Sequence, residues 1–302
     1  MRIAITASAF DVANLPPSLA ACDLVVNDSG RRPDRDGVLA LVGPEVDGAI
    51  AGLEPYDATV LARASSLRAI SRIGTGVDNV DVAAAAERGV QVLRTPDAPT
   101  SAVAELTVAF ILAGLRDLLH HHAQVVGGAW KGRPAGLLEG RTVGLVGAGR
   151  IARAVASRLV PFGVAVQAAD PYVAAGDVPF PLVDLDTLLT TSHIVSLHVP
   201  GQDAPEPLID ARRLALLPVG AMLINTARGG LVDETALAAA LRSRRLAFAA
   251  LDAYATEPYQ GELRDLDNVL LTPHIGSNTH ETRVTMEREA ARNLAVALGL
   301  SV

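Results

Sequence analysis

The stretch Thr142-Val143-Gly144-Leu145-Val146-Gly147-Ala148-Gly149-Arg150-Ile151-Ala152 decides the fold of this chain. An apolar run of strand character enters a glycine turn, and a helical pattern opens directly after it. The turn reads G-x-G-x-x-A, a permitted form of the fingerprint at the first strand-to-helix junction of a dinucleotide-binding domain. Gly147 supplies the tight turn. Gly149 lets a pyrophosphate approach the backbone, where the free N–H groups of a helix N-terminus face it. Ala152 is small enough for the helix to lie close on the strand. Glycine triplets also occur in ordinary strand-to-helix turns, so the next strand has to decide. It ends in Ala168-Ala169-Asp170-Pro171, and Asp170 stands about 20 residues beyond the motif, the spacing at which a carboxylate meets the ribose hydroxyls. A carboxylate there repels a 2′-phosphate and no arginine follows it directly, so NAD is expected over NADP.

Working outward, strand signals recur at residues 164–168, 194–199, 221–225, 248–251 and 269–271, with helical signals at 151–160, 208–217 and 234–243. This alternation predicts a doubly wound parallel sheet. Residues 2–95 show a second alternation, with strands expected at 3–6, 37–41, 48–51, 67–73 and 90–93 and helices at 56–65 and 82–88. It contains no glycine fingerprint and is not expected to hold a dinucleotide. An Ala/Leu-rich helix from Ser101 to about Gly127, starting near Thr100 as N-cap, would carry the chain between the two domains. An amphipathic helix over 281–298 is expected to pack back on the first domain.

Three short apolar runs of the second domain end in polar residues beside turns. Arg228 follows 221–225, Asp252 and Glu257 follow 248–251, and His274 follows 269–271. Ligands of open α/β sheets bind outside the carboxyl ends of the strands. A cation, carboxylates and an imidazole on one edge can hold an anionic substrate and move a proton. The guanidinium of Arg228 can grip a carboxylate bidentately and polarise the adjacent carbonyl. His274 is the natural proton donor, because its side chain titrates closest to neutrality. A carboxylate such as Glu257 beside it favours the imidazolium form. Gly229 and Gly230 would permit close backbone approach to a ligand.

The bulk properties bound the rest. The chain has 302 residues, enough for two domains. Half of them are hydrophobic and only 3% aromatic, so the core is built from Ala, Val, Leu and Ile. The net charge of −7 argues against nucleic acid or an anionic membrane as partner, while a small anionic substrate remains compatible with a local basic site. Cys22 is the one cysteine, so no intrachain disulfide and no thiolate metal site can form. The longest apolar stretch, residues 106–115, is short of the ~20 residues a bilayer needs. The Met1–Thr6 segment has no signal-peptide layout, and a cytoplasmic protein is expected. His120, His121 and His122 point about 100° apart on a helix and cannot share one face, so no metal is expected there. Glu287, Arg288, Glu289 and Arg292 read as a solvated helix face. Trp130 reads either as an anchor for the interdomain loop or as a residue reaching a substrate pocket, its own or that of a neighbouring subunit.

The chain resembles the D-isomer-specific 2-hydroxyacid dehydrogenase family over nearly its whole length. The resemblance rests on six ordered blocks: Gly74-Thr75-Gly76-Val77-Asp78-Asn79-Val80-Asp81, Ala104-Glu105-Leu106-Thr107, the glycine fingerprint, residues 224–233 around Arg228, Glu257-Pro258, and Thr272-Pro273-His274-Ile275-Gly276. It implies two Rossmann-like doubly wound domains. One is a flavodoxin-like substrate domain built from residues 1–97 and 276–302, and the other an NAD-binding domain over 98–275, with the active site between them and a homodimer formed through the central domain. It further implies that Arg228, Glu257 and His274 are catalytic, and that Gly74, Thr75 and Gly76 bind the substrate carboxylate together with Arg228. Asp252 would hold the nicotinamide carboxamide, and Arg150, Ile151, Val199, Pro200, Thr226 and Ala227 would line the cofactor beside Gly147, Gly149 and Asp170.

The implied reaction is hydride transfer between NAD(H) and a small D-2-hydroxy acid or 2-keto acid, such as glyoxylate or hydroxypyruvate. A competing reading is an NAD-sensing scaffold like the corepressors that share the fold. An alternative substrate is 3-phosphoglycerate. Against it, Pro99 stands where phosphoglycerate-type members carry Asn, and the chain ends at Val302 without their C-terminal extension. Thr75 replaces the lysine of phosphite-oxidising members. His198 matches a family H-x-P strand end, whereas residues 201–207 depart from the usual pattern.

Overall fold

The computed structural model describes residues 1–201 and 206–302. The departing segment 201–207 therefore falls largely outside the described residues. The chain divides into two compact units, Met1–Pro99 with Ser277–Val302, and Thr100–Gly276.

The first unit alternates β1 (Arg2–Ile5), α1 (Pro17–Ala20), β2 (Asp23–Val26), α2 (Arg35–Leu41), β3 (Gly48–Ala51), α3 (Ala58–Arg63), β4 (Ala69–Arg72), α4 (Val82–Glu87) and β5 (Gln91–Arg94). All its strands are parallel, in the order β2-β1-β3-β4-β5. That is the flavodoxin-like order. Residues 37–41, where the apolar run predicts a strand, are helical. The Asp34 carboxylate caps the Gly37 N–H at 2.9 Å, and Val38 and Val42, one helical turn apart, are the fully buried side chains. The expected strand is supplied instead by β2, which pairs along the outer edge of β1.

The second unit opens with α5 (Thr100–Leu115) and α6 (Leu118–Val126), where the sequence predicts a single helix. The break falls at Asp117, whose backbone is left-handed (φ 52°), a conformation Asp tolerates better than most residues. The Asp117 carboxylate pairs with Arg133. Then follow β6 (Thr142–Val146), α7 (Arg150–Leu159), β7 (Ala165–Ala169), α8 (Leu185–Thr191), β8 (Ile194–Leu197), α9 (Ala211–Leu216), β9 (Ala221–Asn225), α10 (Glu234–Arg242), β10 (Leu246–Leu251) and β11 (Val269–Leu271). The parallel sheet runs β11-β10-β9-β8-β6-β7. The chain winds one way from β6 to β7 and the other way from β8 onward, so the topological switch lies between β6 and β8.

Register delivers the functional edge. Val146 pairs with Leu197, Leu197 with Asn225, Asn225 with Leu251, and Leu251 with Leu271. The residues that follow, Gly147, His198, Thr226, Asp252 and Thr272, therefore leave the sheet at one level. Leu145, Ile194, Val195 and Ile224 beneath them are fully buried, each contributing ~1.5–3 kcal/mol on transfer from water.

Finally α11 (His280–Ala297) returns to the first unit, and its Met286, Ala290, Leu294 and Ala295 pack on Ile3, Ile5, Ile50 and Ala69. Of the four residues expected on a solvated face, Arg288 and Arg292 are exposed and Glu289 is half-buried, but Glu287 is not solvated. Glu287 is buried and accepts from the Asp11 N–H (3.1 Å), Asn14 (2.9 Å) and Arg283 (2.8 Å). A buried carboxylate requires such donors. No helix among the described residues is long and apolar enough to cross a membrane.

Candidate active site

The nucleotide edge forms around Gly147. Its φ is 97°, and a Cβ there would lie 2.6 Å from the His198 carbonyl oxygen, so only glycine lets β6 turn beside the end of β8. Gly149 is the N-cap of α7 and has open space where a side chain would project. Asp34, Asp57, Asp81, Asp184, Asp210 and Asp233 cap their helices with carboxylates, whereas α7 has no side-chain cap. Its first N–H groups are thus left to an anionic ligand. Asp170, at the end of β7, accepts the Ala148 N–H at 2.8 Å and the Tyr172 N–H at 2.9 Å. Each bond takes a separate oxygen, and a carboxylate has about four lone-pair sites, so capacity remains for ribose hydroxyls. This cradle fits a dinucleotide. Arg150 and Ile151 open α7, and Val199 and Pro200 follow β8 on the same edge.

The catalytic candidates converge at the other strands of this unit. His274 Nδ1 lies 2.9 Å from Glu257 Oε1, with both side chains partly buried. His274 holds a left-handed backbone (φ 55°), unusual for a side-chain-bearing residue and of the kind found where a site is over-determined by its surroundings. Asp252 supplies the constraint. It is 2% exposed, and its two oxygens accept from the Thr272 hydroxyl (2.5 Å), the Ile275 N–H (2.7 Å) and the Gly276 N–H (2.7 Å). Burial raises its pKa, and these three donors together with nearby His274 offset part of that rise. The Asp252 carboxylate thus clamps the turn that presents His274, a role distinct from the carboxamide contact expected of it.

Arg228 leaves the end of β9 half-buried, with one guanidinium nitrogen bonded to the Ala227 carbonyl at 2.8 Å. Asn225 shapes this loop, donating to the Arg228 carbonyl (2.8 Å) and accepting the Ala227 N–H (3.0 Å). Thr226 and Thr107 hydroxyls meet at 2.9 Å. Thr107 spends its only hydrogen on the Val103 carbonyl, so Thr226 is the donor. At Gly229 a Cβ would lie 1.7 Å from the Tyr254 carbonyl carbon, so this glycine serves contact between two protein loops rather than approach to a ligand. Gly230 has nothing within 4 Å of that position.

The family model for the D-isomer specific 2-hydroxyacid dehydrogenase NAD binding domain matches residues 108–276, more than half of the chain. The chain belongs to the D-isomer-specific 2-hydroxyacid dehydrogenase family. A D-3-phosphoglycerate dehydrogenase of Mycobacterium leprae is 40% identical over 273 residues, covering 88% of this chain and 52% of that protein. The chain thus spans about half the length of the phosphoglycerate dehydrogenases it matches first. A hydroxypyruvate reductase of Thermotoga maritima is 36% identical over 274 residues, 88% of this chain and 89% of that protein. Among solved structures, the TT0316 protein of Thermus thermophilus superposes with a TM-score of 0.91 at 37% identity, over 99% of this chain and 97% of that one.

Two residues of this D-2-hydroxyacid dehydrogenase site escape the sequence reading. Asn225 is a fully buried amide at a strand end, visible in sequence only as a polar residue closing an apolar run. Tyr254 is stacked on Tyr259, and its hydroxyl reaches the carbonyls of Leu251 and Thr272 at 2.9 Å each, tying the ends of β10 and β11 together. Its N–H points at Glu257 Oε1 at 3.3 Å. Only aromatic spacing marks it in sequence. Trp130 is 93% exposed and so does not anchor its loop, which corrects the first of its two readings.

Proposed function

We propose that this chain is an NAD-dependent reductase of small 2-keto acids, such as glyoxylate or hydroxypyruvate, acting reversibly on D-2-hydroxy acids. The observation that carries this reading is the His274–Glu257 pair on the same strand-end edge as Arg228. Gly147, Gly149, Arg150, Ile151, Asp170, Val199, Pro200, Thr226 and Ala227 are the residues proposed to hold the dinucleotide, and Asp252 supports the nicotinamide end through the turn it clamps. When bound, NADH supplies the hydride.

The chain's own residues do the remaining work. Glu257 accepts from His274 Nδ1 and leaves Nε2 to give a proton to the substrate oxygen. Arg228 binds the substrate carboxylate and stabilises charge on the neighbouring carbonyl oxygen, a preorganised electrostatic contribution. The N–H groups of Gly74, Thr75 and Gly76 are the proposed partners of the same carboxylate. The domain roles, substrate domain for 1–97 with 276–302 and NAD domain for 98–275, belong to this proposal, as does a cytoplasmic location.

The test is a panel of 2-keto acids with NADH and NADPH, followed by nicotinamide absorbance. Turnover of at least one member with NADH is expected. No turnover on any member would overturn the reading and leave an NAD-sensing scaffold in its place.

We further propose a homodimer. No residue of α6 is buried, and Leu118, Val125, Val126, Trp130 and Leu137 are all exposed within one sequence stretch. Such a concentration of exposed apolar side chains marks an association surface. Sedimentation equilibrium is expected to give twice the chain mass, and Val126→Glu with Trp130→Glu to shift it to the monomer. A monomeric parent chain would reject this.

A further inference from the structure

Arg72 and Arg94 are register partners on the neighbouring parallel strands β4 and β5, each the last residue of its strand. In-register side chains point to the same face, and parallel strands lie about 4.8 Å apart. Two arginines are thus placed on neighbouring strand ends at the carboxyl edge of the first unit's sheet, in a chain whose net charge is −7. Both strand ends lie beside one feature, the Gly74–Gly76 loop.

Both arginines engage that loop. Arg72 is buried, and its guanidinium fills the space beside Gly74, where a Cβ would come within 1.6 Å of it. Arg94 is exposed, and its Nη1 reaches the Thr75 carbonyl at 3.5 Å. The loop is also pinned to the end of β5, because Gly74 donates to the Thr95 hydroxyl (2.7 Å) and accepts the Thr95 N–H (3.0 Å). The contact from Arg94 to Thr75 is long for a hydrogen bond, so it can be exchanged for a better acceptor without a large penalty. Asp78 and Asp97 are the nearest carboxylates in sequence. What singles Arg94 out is its placement over Thr75 rather than the net local charge.

We infer that Arg94 is a specificity-determining residue that pairs with a second anionic group on the substrate, selecting 2-keto acids whose third carbon carries a phosphate, sulfonate or carboxylate. This rests on the proposed reading of Gly74, Thr75 and Gly76 as the carboxylate-binding loop. With one carboxylate on the loop N–H groups, the Arg94 guanidinium, 3.5 Å from the Thr75 carbonyl of the same loop, would be the group that meets the other end of a three-carbon acid. A planar fork suits any of the three anions.

The experiment compares the parent chain with Arg94→Gln and Arg94→Lys on glyoxylate, hydroxypyruvate, 3-phosphohydroxypyruvate, 3-sulfopyruvate and oxaloacetate, with NADH. The parent chain should show a higher kcat/KM on at least one of the three dianionic acids than on hydroxypyruvate, and the best of them identifies the anion. Arg94→Gln should raise KM for that acid roughly tenfold or more relative to its effect on glyoxylate, the scale of one charge-assisted hydrogen bond. Arg94→Lys should recover part of it. An equal effect on every substrate would make Arg94 a strap for the loop and overturn the inference. Reduction of glyoxylate with no preference for any dianionic acid would overturn the inference alone. Failure to reduce any acid would overturn it together with the reading on which it rests.

Discussion

His274 and Glu257 stand on different strand ends, 17 residues apart in sequence, yet Nδ1 and Oε1 meet at 2.9 Å. A carboxylate only accepts, so Nδ1 carries the hydrogen and the tautomer of His274 is fixed. His274→Gln should therefore lose about 10²–10⁴-fold in kcat, the usual contribution of a positioned general acid. NADH affinity should be retained. Glu257→Gln keeps an acceptor toward Nδ1 but removes the charge that supports an imidazolium. It should lower kcat roughly tenfold with little change in KM, the pattern of a contact that matters only as charge develops. Steady-state kinetics with fluorescence titration of NADH check both. A Glu257→Gln variant that weakens NADH as much as it slows turnover would remove Glu257 from this role.

Gly229 makes a separate and purely steric demand. A methyl group there would sit 1.7 Å from the Tyr254 carbonyl carbon, and neither partner is a flexible side-chain end. Gly229→Ala must push apart the loop bearing Arg228 and the loop leading to Glu257. Overpacking of this kind costs ~1–3 kcal/mol or more, and small misplacements of catalytic groups can cost on the order of 100-fold in rate. Gly230→Ala is the internal control, because nothing lies within 4 Å of its missing Cβ. Urea unfolding and kcat measured on both should separate them clearly. Two equally mild variants would show that the loops part easily and are not a rigid unit.

How much of this is legible in sequence depends on whether the signal is local. The strands β6, β9 and β11 fall where their apolar runs place them, because buried parallel strands are written as short continuous stretches. Arg228 and His274 stand out because unlike polar residues follow β9 and β11, whereas Glu257, beyond the end of β10, takes its role from the family resemblance. Residues 37–41 mislead because Gly-Val-Leu-Ala-Leu is apolar enough for a strand, while the deciding signal is the cap at Asp34 outside the run. The break at Asp117 and the burial of Glu287 depend on partners, Arg133 in one case and Asp11 and Asn14 in the other, that adjacency in sequence does not reveal. The clamp by Asp252 is invisible for the same reason, since its donors come from the next strand's end.

Asp170 should decide the choice of dinucleotide. Its oxygens already brace the glycine turn through the Ala148 N–H and the following loop through the Tyr172 N–H, so its position is fixed before any ligand arrives. A fixed carboxylate cannot swing away from a 2′-phosphate. Asp170→Ala is expected to weaken NADH and to narrow its advantage over NADPH by roughly tenfold or more, the scale of removing one charge-charge conflict from a binding site. Asp170→Asn, which keeps an acceptor for one brace, should narrow the advantage with less loss of NADH affinity. Dissociation constants for both dinucleotides supply the check, and an unchanged ratio in both variants would place the ribose elsewhere.

His198 gives the structure a pH signature that does not involve turnover. It follows β8 on the nucleotide edge, its ring nitrogen Nε2 lies 2.9 Å from the Ser196 hydroxyl, and desolvation pushes its pKa down to about 4. The ring is therefore neutral in the folded protein near pH 7, whereas in the unfolded chain it titrates at about 6.5. Below that value the unfolded chain binds a proton that the folded chain refuses, so this contribution to stability is full above about pH 6.5 and declines as pH falls toward 4. The steepest loss is ~1.4 kcal/mol per pH unit for one proton. Carboxylates elsewhere also destabilise the fold in acid, so the observable is a difference between two chains. His198→Gln cannot take up the proton, and its unfolding free energy in urea should fall less than the parent's from about pH 6.5 down to about 4.5. Parallel stability curves for the two chains over that interval would show that His198 is solvated enough to protonate in place.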